Sequence, residues 1–265
     1  MTNGKIHDRE IAIGPGAPVR LRFYGQGDCD AGAPLVMHLH GGAFTDGTLE
    51  DGAPLAEALV AAGAVVASVD YPLAPGHRFP EAVESAYGAL RWLARWRWRV
   101  CGNRAAPLYV AGEEAGGNIA AAVAMMSRDR GDGLAGQLLV DPLLDPCVGT
   151  RSMRDAHAGE AGRCKYADGW HHYFRTPQDA DHPYAAPASA RRLAGLAPVL
   201  IVATTGTPLR DEVAAYSKRL AAAGVPVELA WAERRELRAA RAHEGAARLF
   251  AIPDSPRSKS QRTAP

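Results

Sequence analysis

Gly112-Glu113-Glu114-Ala115-Gly116-Gly117-Asn118 is the stretch on which the fold turns. It lies between a short apolar run, Pro107 to Val110, that reads as a strand and a helical pattern that follows. Glycines at 112 and 116 suit a very tight turn, one that carries the chain directly from strand to helix. Outward from this turn, short apolar runs alternate with longer helical patterns. Upstream, Arg9 to Ile13 and Val19 to Tyr24, split by Gly14-Pro15-Gly16, read as an opening antiparallel pair, with Pro34 to Leu39 and Val65 to Val69 as further strands. Leu55 to Ala62 reads as a helix, and Val83, Ala86, Tyr87, Leu90, Leu93 and Ala94 recur at helical spacing. Downstream, Gln137 to Val140, Val199 to Ala203 and Val225 to Ala230 continue the strands, with a helix from Leu209 to Ala223. Crossovers of this length join parallel neighbours, so the fold class is α/β, a mostly parallel central sheet with helices on both faces.

The chain has 265 residues, 47% of them hydrophobic and 22% charged, enough to bury one substantial core. One domain is expected over residues 1–252. Within it, residues 147–187, Cys147 to Pro187, are polar and spotted with Tyr166, Trp170, Tyr173 and Phe174, the pattern of a lid. Residues 253–265 carry proline, serine and charge without periodicity and are expected to be disordered. Lysine and arginine number 30 against 29 acids, a net charge of +1, so neither nucleic acid nor a membrane is expected as partner. The partner expected is a small-molecule substrate, and a homodimer is left open. Met1 to Gly14 lacks the apolar core of a signal peptide, no uncharged run is long enough to span a bilayer, and the four cysteines form no CxxC pair; a cytoplasmic location is expected. No histidine pair has zinc-site spacing, so neither a metal nor another cofactor is expected.

Three segments in order carry a resemblance: His40-Gly41-Gly42-Ala43-Phe44 after a strand, Val69-Asp70-Tyr71-Pro72-Leu73-Ala74-Pro75 followed by His77-Arg78-Phe79-Pro80, and the turn at 112–118. They resemble the hormone-sensitive-lipase branch of the α/β-hydrolases, the bacterial esterases and plant carboxylesterase-like proteins. Similarity extends through Asp141-Pro142-Leu143-Leu144-Asp145-Pro146, Pro183-Tyr184-Ala185-Ala186-Pro187 and Thr207-Pro208-Leu209-Arg210-Asp211-Glu212, up to about Leu229. The resemblance implies the α/β-hydrolase fold, an HGGG loop with alanine at its last position, and a nucleophile elbow at 112–116. It implies a serine where this chain has Glu114, an acid where it has Thr207, and a histidine where gapless alignment puts Leu237. The triad therefore reads as replaced, and serine acyl transfer as unavailable.

The oxyanion machinery matches better. By the resemblance, the backbone amides of Gly41, Gly42 and Ala115 converge on a carbonyl oxygen. Glu114 is expected to point into the pocket opposite them as a functional carboxylate. Asp141 ends the strand after which other α/β-hydrolases place a triad acid, and is carried as a second catalytic candidate. His38 and His40 alternate on one face of a strand and are carried as substrate-binding candidates. Trp170 and Tyr173 are carried with them, as lid aromatics over an open pocket that binds a bulky apolar ligand. His243 is the nearest stand-in base, in a helical pattern with Leu249 and Phe250; His172 matches a lid histidine of the family, and His7, His77, His157, His171 and His182 sit in terminal, turn or lid sequence.

The expected function is a non-hydrolytic enzyme that eliminates, isomerises or cyclises a small carbonyl metabolite in specialised metabolism, with Glu114 as acid/base. Two alternatives stand beside it: an inactive ligand-binding protein, since gibberellin receptors resemble this family but lack a complete triad, and a hydrolase with a carboxylate nucleophile.

Overall fold

Backbone hydrogen bonds gather eight strands into one sheet: β1 (His7–Ile11), β2 (Val19–Tyr24), β3 (Leu35–Leu39), β4 (Val65–Asp70), β5 (Leu108–Glu113), β6 (Gly136–Val140), β7 (Val199–Thr204) and β8 (Val227–Ala232). The computed structural model describes residues 6–14, 18–27, 32–156 and 164–251. The expected tail at 253–265 and His157 lie outside these residues. The order across the sheet is β1-β2-β4-β3-β5-β6-β7-β8. β2 pairs antiparallel with both β1 and β4, and every pair from β4 onward across the sheet is parallel. The opening pair is shifted from its expected place: β1 ends at Ile11, where Ile11 faces Val19, and Ile13 packs beyond the strand against the core. The α/β expectation is otherwise met, with a mostly parallel sheet flanked by helices.

Side-chain alternation explains the layers. Along β3, Leu35, Met37 and Leu39 face one side of the sheet and Val36 the other. The first side is covered by α2 (Glu81–Cys101), α3 (Glu114–Arg130) and α6 (Arg210–Ala222), through residues such as Val83, Leu90, Ile119 and Val213. The second is covered by α1 (Ala53–Ala61) and α7 (Arg238–Phe250), through Leu55, Leu59, Ala242 and Leu249. The inner strands are buried on both sides, as in parallel sheets with two helical coats. Each leucine or valine taken wholly out of water contributes about 1.5–3 kcal/mol before ordering costs. The lid region adds α4 (Arg151–Ala156), α5 (Lys165–Tyr173) and two single turns, Pro177–Asp181 and Pro187–Ser189.

This topology positions the site. From β3 the chain crosses to β4 on one side, and from β5 it moves away on the other. The loops that leave β3 and β5 therefore part at the carboxyl edge and open a crevice between them, the usual ligand position in doubly wound sheets.

Candidate functional site

The elbow forms as the glycine spacing requires. β5 ends at Glu113 and α3 begins at Glu114, which is held at φ +46°, a left-handed conformation costly for a residue with a side chain. A Cβ on Gly116 would lie 2.2 Å from the carbonyl oxygens of both Leu39 and His40, so only glycine lets α3 approach the end of β3 this closely. Gly42 sits at φ +118°, and a Cβ there would lie 2.0 Å from the Asp46 oxygen. Ala43, where the family's glycine falls, also takes positive φ, at 48°, so the loop keeps its course at some strain. Gly41 lies directly against the elbow: a Cβ on it would be 3.5 Å from Cβ of Glu114. Asn118, one turn into α3, donates to the carbonyls of Leu143 at 2.8 Å and Ala185 at 3.1 Å, tying the elbow to the loop after β6 and to the lid.

Above the elbow is a pocket of about 270 Å³, lined by Gly41, Gly42, Asp46, Gly47, Asp51, Glu113, Glu114, Lys165, Arg235 and Arg238. Its wall is charged and polar. The carboxylate of Glu114 receives Lys165 Nζ at 3.4 Å to both oxygens and Arg235 Nη2 at 3.3 Å to one. Lys165 comes from the start of α5 in the lid, and Arg235 from the single turn Arg235–Leu237 after β8. Both cations are more than half exposed, while Glu114 is buried. Behind them Arg238, almost buried, reaches Asp141 at 3.2 Å and Glu113 at 3.6 Å.

The histidines stand apart from Glu114. His38 is fully buried, bonds Ser68 Oγ through Nδ1 at 2.8 Å, and brings Nε2 to 3.9 Å from Glu113. His40 stacks on Tyr71 at 4.4 Å between ring centroids, and its Nδ1 lies 2.8 Å from the Gly41 carbonyl. Burial holds His40 below the ordinary histidine pKa, which favours the neutral ring. Neither ring lines the pocket. His243 lies 3.2 Å from the Ala58 carbonyl of α1, so it joins two helices and is no base for the elbow. His77 pairs with Glu81, His172 with the carbonyl of Asp168, and His7 stacks on Phe23.

Asp141 is used structurally. Its oxygens accept Thr204 N–H and Thr204 Oγ1, both at 2.8 Å, and then Arg238. It joins the ends of β6 and β7 and is not among the residues that line the pocket. Trp170 and Tyr173 also lie elsewhere than expected. Tyr173 stacks on Phe44 at 4.0 Å and Trp170 tilts against the same ring at 4.8 Å, both buried in the seam between lid and body. Helix periodicity points their face of α5 at the core, so neither ring offers an open aromatic surface above Glu114.

Sequence reasoning missed the three cations. Arg235 and Arg238 belong to the run Glu233-Arg234-Arg235-Glu236-Leu237-Arg238, whose basic character at the place of the family's histidine was the available signal. Lys165 gave no local signal. Among the described residues, no group of three or more His, Cys, Asp or Glu side chains is placed to hold a metal, and no helix is long and apolar enough to cross a membrane.

Comparison with known proteins agrees with this fold. A family model for the alpha/beta hydrolase fold matches residues 36–235. Esterase LipI of Mycobacterium tuberculosis is 38% identical over 228 residues, which cover 83% of this chain and 71% of that one. Carboxylesterase NlhH of the same species is 33% identical over 232 residues, covering 85% and 72%. Among solved structures, a hyperthermophilic esterase from the archaeon Pyrobaculum calidifontis superposes with a TM-score of 0.83 at 34% identity, over 95% of this chain and 84% of that one. The chain belongs to the α/β-hydrolase family, in the branch that holds these esterases. These names overturn the expected lyase, isomerase or cyclase of specialised metabolism: the relatives are esterases, and they point to ester hydrolysis.

Proposed function

We propose that the chain acts on carboxylic esters in the pocket above the elbow and cleaves them without a serine. Glu114, Thr207 and Leu237 stand where the family's serine, acid and histidine fall, so the elbow presents a carboxylate as nucleophile. The observation that carries this reading is Glu114 at φ +46° on a preserved elbow, its carboxylate on the pocket wall beside the Gly41-Gly42 loop. A Glu114 oxygen attacks the ester carbonyl carbon. The amides of Gly41, Gly42 and Ala115 receive the developing oxyanion, each such donor being worth about 2.7–4 kcal/mol in the transition state. The carbon–oxygen bond to the alcohol then breaks, and the departing oxygen takes a proton from Lys165, leaving an acyl-glutamyl anhydride. Water adds to the glutamyl carbonyl of that anhydride and gives one proton back to Lys165. The substrate acid leaves as its carboxylate, and Glu114 is restored, after loss of its proton to solvent, with one oxygen that came from water.

The test is hydrolysis of short-chain p-nitrophenyl esters by the purified chain and by Glu114→Gln, followed by one turnover in heavy-oxygen water. Release of p-nitrophenol that falls at least about a hundredfold in Glu114→Gln, with label in the Glu114 carboxylate, is the expected result. Release unchanged in Glu114→Gln, or no release, overturns it. The pairing of Glu114 with two cations favours a second reading, since both pairs withdraw charge from the nucleophile: an ester-binding protein without turnover. Saturable binding of an ester with no product in calorimetry selects that reading.

A further inference from the structure

α2 carries an unusual surface on its outer face. Its run Arg91-Trp92-Leu93-Ala94-Arg95-Trp96-Arg97-Trp98-Arg99 holds three of the five tryptophans of the chain. Leu90, Leu93 and Val100 bury the inner side of the helix, so the outer residues stand on a rigid support. Trp98 remains 37% exposed, and Trp92 and Trp96 are half-buried. Guanidinium groups lie over these rings: Arg9 over Trp92 at 5.2 Å, Arg99 over Trp96 at 4.6 Å, and Arg104 over Trp98 at 5.2 Å. Beside them a groove of about 550 Å³ is walled by Arg91, Arg95 and Arg130 against one carboxylate, Glu84. The net charge of +1 for the whole chain hides this local concentration of positive charge.

The geometry points to this face as a docking surface for anionic phospholipid headgroups. Charge complementarity calls for a polyanion, since arginine forks bind phosphate oxygens in pairs. The tryptophans select which polyanion. A nucleic acid binds such a surface by stacking bases on open aromatic faces, and here the faces are already taken by guanidinium groups. Headgroup immersion needs only the ring bodies and edges that remain, the role tryptophan plays at membrane interfaces. α2 runs antiparallel to its flanking strands β4 and β5, so its Trp98 end lies at the amino edge of the sheet. The pocket over Glu114 opens at the carboxyl edge. A docked molecule therefore keeps its pocket in water, and the surface acts independently of the chemistry at the elbow.

The test mixes the full chain with sedimenting vesicles of phosphatidylcholine, with and without phosphatidylglycerol. Binding is expected only with phosphatidylglycerol, reversed by high salt and accompanied by a blue shift of tryptophan emission. Arg95→Glu with Arg99→Glu is expected to weaken partition more than about tenfold. Arg95→Gln with Arg99→Gln guards against misfolding: its circular dichroism melt stays that of the parent while partition still falls. Equal binding to both vesicle types, no binding to either, partition unchanged in both double variants, or displacement from vesicles by a single-stranded oligonucleotide in equimolar amount overturns the proposal.

Discussion

The elbow at 112–118 and the turn at 233–238 face the same pocket, yet they are held in opposite ways. The elbow is held by its backbone: a Cβ on Gly112 or Gly116 would lie 2.2 Å from a carbonyl oxygen, and residue 114 takes positive φ. The turn after β8 is held through its side chains, with Arg235 and Arg238 at the pocket and Leu237 turned to solvent. Backbone geometry is fixed by contacts on every side, so a change there is felt through the whole sheet. A side chain at a rim answers only to its immediate partners.

The elbow glycines are accordingly the costliest positions to alter. Gly116→Ala drives a Cβ into two carbonyl oxygens of β3 and its loop, and a loss of about 3 kcal/mol or more is expected in denaturant unfolding. A fall below about 1 kcal/mol would erase the contrast.

Glu212 tests the scaffold behind the elbow. It is buried, accepts Leu144 N–H at 2.9 Å, and burial pushes its pKa up from 4.5 to about 8. Below pH 4.5 both folded and unfolded chains hold this proton. Between pH 4.5 and 8 the unfolded chain releases it while the folded one keeps it, so stability falls as pH rises and levels off above 8. Glu212→Gln is expected to match the parent near pH 4 and to exceed it by about 2–4 kcal/mol at pH 9. Parallel melting curves for the two proteins across that range would show Glu212 to be charged in place.

Arg238 separates the buried from the exposed half of the turn. Arg238→Met leaves Asp141 without its cation and is expected to cost about 2–3 kcal/mol, read from the shift in urea midpoint. Arg235→Gln removes only a mostly exposed partner of Glu114, and a change of less than about 1 kcal/mol is expected. Equal losses in the two variants would mean that the rim is as tightly built as the core.

The same contrast explains what the sequence revealed. Strands and helices were legible because their periodicities are local, and the elbow because its glycines sit within five residues of each other. The β1 boundary slipped because Ile13, two residues past the strand, still packs against the core. The partners of Glu114 lie 51 and 121 residues away, on the lid and beyond β8, where no local pattern announces a meeting. The lid aromatics were legible as aromatics, but the choice between packing and ligand depended on how α5 turns, which Phe44 decides. The Arg-Trp run on α2 acquires meaning only once its other face is known to be buried.

Glu114 is gripped at once from α5 and from the turn after β8, so anything entering the pocket meets two cations beside the Gly41-Gly42 loop. A guest that brings its own carboxylate can take over Lys165 or Arg235 and leave the tally of ion pairs unchanged, whereas a neutral guest must unseat them. The entrance thus carries two exposed positive charges, and dissolved salt screens both.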